Sequence, residues 1–434
     1  MFFTSVSEDF VQFVWKYSLY ESSGLYTTCG QQVQVISPGE QNTIGGPDFF
    51  QAKIQLEDTL WIGNVEIHIS NREWYQHKHH LDEAYNNVIL HVVLDGQAEP
   101  VLLANQRQVP SLLIGQLIFK ETLQSYNSLQ QNVKRFIPCQ DLIAPKEAFL
   151  FHHLYINLAI ERLERKIKEI ETDMHWTQGD LDMSFLILLF RHFGSPVNKQ
   201  PFEQLARSLE YKHIEKQRTS LKQLESFLFG MANLLHNQGE YAKQLNDEFS
   251  YTKNLYGLEV FVQTSAWKFS GIRPVSFPTL RLAQLAALLY KNPRPLSFIL
   301  QAQDVAELRA TFVSEPSKYW ETHYAFGREW KEKSVGLSAV FIDKLIVNVV
   351  VPFIFFYGQQ TGQDDFKERA FQFLEEIKAE DNALIKKYRK YDFQAKSALD
   401  SQALIQLYTN YCAQKRCLSC KWGYLLLKRN LLRK

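Results

Sequence analysis

Residues 47–69 read PDFFQAKIQLEDTLWIGNVEIHI, and their alternation decides the fold class. From Phe50 to Leu56, apolar and polar side chains take turns. Phe50, Ala52, Ile54 and Leu56 fall on one side, Gln51, Lys53 and Gln55 on the other. A period of two predicts a strand with one buried face. Glu57-Asp58-Thr59 then punctuates the run as a turn. Trp61 to Ile69 alternates again, with Val65, Ile67 and Ile69 facing one way and Asn64, Glu66 and His68 the other. Two neighbouring strands joined by a tight turn bring Asp48, at the start of the first, close to Glu66 in the second. His68, two residues on, shares the face of Glu66.

Working outward, a helix is predicted over about 6–20, because Phe10, Phe13, Val14 and Tyr17 recur at helical spacing. Ser5 with Glu8 has the form of a capping box. A short strand over Gln32–Ile36 follows, and Ser37-Pro38-Gly39 opens a loop that runs to Gly45-Gly46-Pro47. Downstream, Asn71–Tyr85 reads as polar or helical. Val88–Leu94 is a near-continuous apolar run, as in a central strand buried on both faces. The order is α-β-β-β-α-β. Beyond Ile118 the periodicity is helical, over about 146–172, 181–193, 200–209, 219–236, 279–291, 302–312, 339–350, 364–379 and 401–413. The fold class is therefore α+β, with a mixed domain over 1–120 and a mainly helical region over 121–434 that has room for two subdomains.

Composition narrows the function classes. With 434 residues, 45% hydrophobic and 22% charged, the chain folds rather than staying disordered. A formal net charge of +1 argues mildly against tight, non-specific DNA binding. Charge is local instead: Ser401–Lys434 carries seven Lys or Arg and no Asp or Glu. Five cysteines, three of them bunched at the end, do not form a secreted disulfide framework. The start, MFFTSVSEDFVQF, lacks the basic and apolar regions of a signal peptide. The most apolar run, Leu345–Tyr357, is shorter than the roughly 20 residues a membrane span needs and contains Asn348 and Pro352. A buried core segment, no membrane partner and a cytoplasmic location are the expectations.

The chemistry gathers between Pro47 and His91. Metal-assisted phosphodiester hydrolysis needs carboxylates converging on one point. The pattern Pro47-Asp48 followed by Glu66-Ile67-His68 resembles the PD-(D/E)XK nuclease superfamily, over about residues 5–95. The resemblance implies a restriction-endonuclease-like αβββαβ core and nucleic acid as partner. It implies Asp48 and Glu66 as ligands of Mg²⁺ or Mn²⁺, and a lysine that assists the nucleophile. That lysine position is His68 here, and a histidine is not a fixed cation at neutral pH. Lys53, on the polar side of the preceding strand, is the alternative cation, and Glu8 a further carboxylate. The competing expectation is a catalytically inactive module of the same fold that binds nucleic acid or protein. The whole chain also resembles an uncharacterised family of bacterial proteins, through NTIGGPDFFQAKI, WIGNVEIHIS, HLDEAYNNVILHVV, GIRPVSFPTLRLAQLAALL and YCAQKRCLSCKWG. That likeness implies no substrate.

Three clusters remain. His68, His77, His79, His80 and His91 offer imidazoles for zinc or for phosphate contact, or form an exposed loop, with His91 a hydrogen-bonded core residue. Cys412, Cys417 and Cys420 form C-x4-C-x2-C, and Cys139 is the natural fourth thiolate for zinc or an iron–sulfur cluster. The ordinary alternative is cysteines packed as small hydrophobes. Some nucleases of the superfamily carry such a cluster on one distant and three C-terminal cysteines. Lys268, Arg273 and Arg281, among Trp267, Phe269 and Phe277, suit either nucleic acid or, preferably, an interhelical corner.

Overall fold

A computed structural model describes residues 6–132, 135–140, 148–194, 196–236, 239–330, 336–391 and 393–428. The chain divides into two compact units: Met1–Leu154 with Leu407–Lys434, and Tyr155–Gln406. The boundary expected near residue 120 therefore lies later. The C-terminal segment belongs with the N-terminal sheet rather than with the helical region.

The first unit opens on helix α1, Glu8–Lys16. Its N-cap is Ser7, whose hydroxyl accepts the Phe10 N–H; Ser5 lies outside the described residues. Phe10, Val11, Phe13, Val14 and Trp15 are buried, so the apolar face is the one the spacing predicts, widened by Trp15. The strands are β1 (Leu25–Tyr26), β2 (Gln32–Ser37), β3 (Glu40–Gln41), β4 (Phe49–Leu56), β5 (Thr59–His68), β6 (Val88–Val93), β7 (Val101–Leu102), β8 (Gln108–Val109) and β9 (Ser111–Leu113). The main sheet runs β1-β2-β4-β5-β6-β9, with β3 on β4 and a separate β7–β8 pair. β2, β4 and β5 are antiparallel, whereas β5, β6 and β9 are parallel. The helix–three strands–helix–strand order is present, with short strands added.

Two details correct the alternation. In β4 the buried side chains are Phe49, Ala52, Ile54 and Leu56, and Phe50 is exposed. Gln51 adopts φ +55° and the register with β5 shifts between Phe49 and Ala52, so a β-bulge moves the apolar phase back by one residue. In β5 the polar face is not solvated: Val65, Glu66, Ile67 and His68 are all buried. The cause is topological. A parallel β5–β6 pair needs a crossover, and residues 69–87 supply it. Gly63 is required where β5 meets β6, since a Cβ there would stand 2.4 Å from Ile89 Cγ2 and 2.6 Å from the Asn87 carbonyl. β6 is buried at every position, as its continuous apolar run predicts.

The second unit is helical. Its most apolar helix, Ala339–Thr361, has mean hydropathy 2.2 and enough length to cross a membrane, but 67% of the apolar window is buried within the protein. A π-helical turn over Ile346–Val350 precedes Pro352, which supplies no N–H to the ladder. Lys166 Nζ donates to Asn348 Oδ1 at 2.9 Å there. Arg281 is packed inward, stacked 3.5 Å from the Phe341 ring centroid and donating to Gln284, as an interhelical corner requires. Several helices escaped the periodicity, among them Glu240–Tyr256, whose exposed side is apolar as well as polar (Tyr251 and Leu255 are both solvent-facing).

One polar network in this unit has a pH signature. Hydrogen bonding to Arg191 holds the Glu203 carboxyl down to about 2, from an ordinary 4.5. A depressed carboxylate contributes stability above its unfolded value and loses it as pH falls through the folded one. Urea unfolding should therefore show stability of this unit declining between about pH 4.5 and 2. Glu203→Gln is expected to flatten that acid limb, and an unchanged limb would contradict the assignment.

Candidate metal centre

Asp48 precedes β4 and Glu66 lies near the end of β5, and the register that pairs Phe49 with Val65 sets them side by side. They are locked reciprocally. The Asp48 N–H donates to Glu66 Oε2 at 3.0 Å, and the Ile67 N–H donates to Asp48 Oδ2 at 2.9 Å. Gln12 of α1 donates to Asp48 Oδ1 at 2.9 Å and to Glu8 Oε1 at 3.3 Å. One amide on α1 thus ties Glu8 to the pair. Sequence reasoning named Glu8 but missed Gln12, whose only signal is its place one turn after Glu8.

Burial sets the electrostatics. It pushes the Glu66 carboxyl up to about 8, opposed by the Asp48 N–H and reinforced by Glu8. It pushes Asp48 up to about 7, with the Glu66 charge adding to the rise. Glu8 rises to about 7, again through burial first and Asp48 second. Burial drives His68 down to about 2, helped by His91, His79 and His77, and takes His91 to about 3. The 3.6 Å approach of His68 Nε2 to Glu66 Oε1 is therefore not an ion pair, since desolvation keeps both groups neutral. Three carboxyls held close without a fixed cation between them form a site with spare capacity for positive charge.

The crossover supplies the roof. Helix α2, Arg72–Gln76, begins where the Glu73 carboxylate accepts the Ile69 N–H at 2.9 Å and the Ser70 N–H at 3.3 Å. Trp74 is fully buried among Tyr85, Val88, Val101, Leu103 and Val109, and its Nε1–H donates to the Leu102 carbonyl at 3.0 Å. This buried indole holds the loop down, whereas Tyr75 beside it is 41% exposed. Lys78 turns the chain at φ +62° and sends His79 inward. His79 stacks on Tyr85 with ring centroids 3.9 Å apart. The expected exposed loop is thus half right: His77 is exposed, but His79 is buried. His80 sits against Tyr75, and His91 is hydrogen-bonded in the core.

Asp48, Glu66 and His68 come together as the motif implies; Lys53 does not join them. It is exposed, opposite Ile62 on β5, beyond the bulge and well along the strand from Glu66. Among the described residues, one group of three metal-ligating side chains has its ligand atoms within 4.8 Å of one another: His68, His77 and His79.

The four other candidate thiolates lie in the same unit. Phe136 stacks on Tyr408 at 4.9 Å, which draws the Cys139 segment to the C-terminal one. Burial, then the neighbouring Cys412, Cys420 and Cys417, pushes the Cys139 thiol well above its ordinary value. Among the described residues no three of these thiols close to within 4.8 Å. A cleft of about 640 Å³ runs between α1 and this segment, lined by Gln12, Lys16, Tyr17, Arg416, Lys421 and Tyr424 among others.

A family model matches residues 8–383. The chain belongs to DUF2851, a protein family of unknown function. The DUF2851 span takes in Glu8, Gln12, Asp48, Glu66 and every histidine of the cluster. No curated protein matches the chain, and no solved structure does.

Proposed function

We propose that this DUF2851 chain is a metal-dependent nuclease with a variant PD-(D/E)XK site on a restriction-endonuclease-like core. The reciprocal hydrogen-bonded lock between Asp48 and Glu66 carries the reading. It fixes two carboxylates on adjoining strands at the motif positions. The donor set fits Mg²⁺ or Mn²⁺, since each hydrogen-bonded oxygen keeps a second lone pair. Asp48 and Glu66 would hold the ion, and when bound it supplies an activated water and charge neutralisation at phosphorus. Gln12 orients Asp48. His68 occupies the lysine position as a neutral imidazole, suited to accept a proton or to ligate. Gln12 both binds Asp48 and lines the cleft with Lys16, Arg416 and Lys421, so a polyanion held by those cations would lie next to the residue that orients Asp48.

The test is cleavage of labelled single-stranded DNA, duplex DNA and RNA with Mg²⁺ or Mn²⁺. Cleavage abolished by chelation is the expected result. One observation favours a second reading, a non-catalytic nucleic-acid or protein-binding module: Lys53 is remote and His68 is uncharged. That reading predicts binding that survives chelation, with no cleavage.

The four cysteines are proposed as a structural thiolate site. Four thiolates suit either a closed zinc site or an iron–sulfur cluster. In anaerobically purified protein, iron with broad visible absorption lost in Cys417→Ser would mark the cluster. Zinc without colour would replace the cluster, and neither metal would leave packed thiols.

A further inference from the structure

We propose that Glu66 Oε1, His68, His77 and His79 form a binding site for a divalent transition-metal ion, and that this donor set discriminates against Mg²⁺. The inference rests on Glu66 being a metal ligand, as in the nuclease reading, and adds which ion and which partners.

A buried hydrogen-bond relay fixes the tautomers of His91 and His68. The Ser111 hydroxyl has one proton and gives it to the Glu99 carbonyl at 2.7 Å, in preference to Asn71 Oδ1 at 3.5 Å. Its oxygen is then an acceptor for His91 Nδ1–H at 3.2 Å. With its proton on Nδ1, a neutral His91 has a bare Nε2, which accepts from His68 Nδ1–H at 2.9 Å. Nε2 of His68 is left without a proton. That bare nitrogen lies 3.6 Å from Glu66 Oε1, too far for a hydrogen bond, and once the Glu66 carboxyl ionises two lone-pair carriers face each other. His79 Nε2 stands 3.3 Å from the same oxygen, buried, and makes no hydrogen bond. His77 completes a group whose ligand atoms lie within 4.8 Å of one another.

Such an arrangement is costly when empty and favourable around a cation. Imidazole nitrogens suit Fe²⁺ and Zn²⁺, and Mn²⁺, though it favours oxygen, stands above Mg²⁺ in accepting them beside a carboxylate, whereas Mg²⁺ takes oxygen ligands and water. The relay through His91 and Ser111 is the outer shell that fixes the ligand tautomer. It leaves the other oxygen, Glu66 Oε2, on the Asp48 N–H. Glu66 thus faces Asp48 with one oxygen and the imidazoles with the other.

Mn²⁺ alone is the probe, titrated into the full chain and followed by electron paramagnetic resonance; it is hard enough to avoid the cysteines. Pulsed spectra are expected to show modulation from directly bound imidazole ¹⁴N. His77→Ala and His79→Ala should each weaken Mn²⁺ binding by roughly ten- to hundredfold. His77 is exposed, so its removal leaves the core intact, and thermal unfolding checks that. Equimolar Mg²⁺ should not displace the ion. Mn²⁺ bound without nitrogen coupling, no bound Mn²⁺, or wild-type affinity in both variants would overturn the proposal. Nitrogen-bound Mn²⁺ in a chain that cleaves no nucleic acid keeps this site and overturns the nuclease reading. Mg²⁺-supported cleavage unaffected by either substitution does the reverse.

Discussion

Asp48→Asn and Glu66→Gln are each expected to lower metal-dependent cleavage by on the order of 10²–10³-fold, the loss typical of removing one element of charge stabilisation. What makes the prediction specific is its pairing with stability. Asp48 and Glu66 are buried beside one another, and each raises the cost of charging the other or shares it with Glu8. Amides of the same shape keep an oxygen to accept the Ile67 and Asp48 N–H groups but carry no charge to desolvate. Metal-free Asp48→Asn should therefore melt at the wild-type temperature or above it while activity collapses. A structural residue behaves in the opposite way. Steady-state cleavage and thermal unfolding of the same preparations separate the two, and retained activity in both variants would remove these carboxylates from the chemistry.

The largest stability effect is expected in the helical unit. Arg191 reaches Asp173 at 2.8 Å and Glu203 at 2.7 Å, and Asp173 is 1% exposed. Removing one partner of a buried ion pair leaves the other charged, desolvated and poorly compensated, at a cost of about 3–5 kcal/mol. Arg191→Ala is expected to lose that much in chemical denaturation, because Arg207 alone remains on Asp173. A loss below about 1 kcal/mol would mean the network behaves like an exposed surface pair.

Much of the sheet was legible because one physical rule governs it: side chains on a strand alternate, and a half-buried strand shows that alternation. β5 alternates in sequence, so Glu66 and His68 were placed on one face, and β6 was legible by a different sign, the continuous apolar run of a strand buried on both faces. β4 departs from it at Gln51, whose positive φ inserts one residue, and nothing in a Phe-Phe-Gln-Ala run announces a bulge. The burial of the polar β5 face was illegible for a different reason. It depends on a nineteen-residue crossover folding back over that face, and the hinge is Lys78, a residue with no turn preference. Lys53 looked equivalent to the motif lysine by its position on a polar strand face. The bulge and the register set it opposite Ile62, at the far end from the site. That Cys139 neighbours the C-terminal cysteines was suggested by residue type rather than by periodicity. The division into units was not, because the return of Leu407–Lys434 to the sheet domain leaves no local signal.

Both proposals require a metal ion bound at Glu66, between Asp48 on one side and His68 and His79 on the other. Crystals soaked in Mn²⁺ and measured at the manganese edge test it directly. An anomalous difference peak is expected within bonding distance of a Glu66 carboxylate oxygen, with at least one further ligand from Asp48, His68, His77 or His79. Manganese bound only at other carboxylates, or a Glu66 cluster without a peak at saturating Mn²⁺, would contradict it.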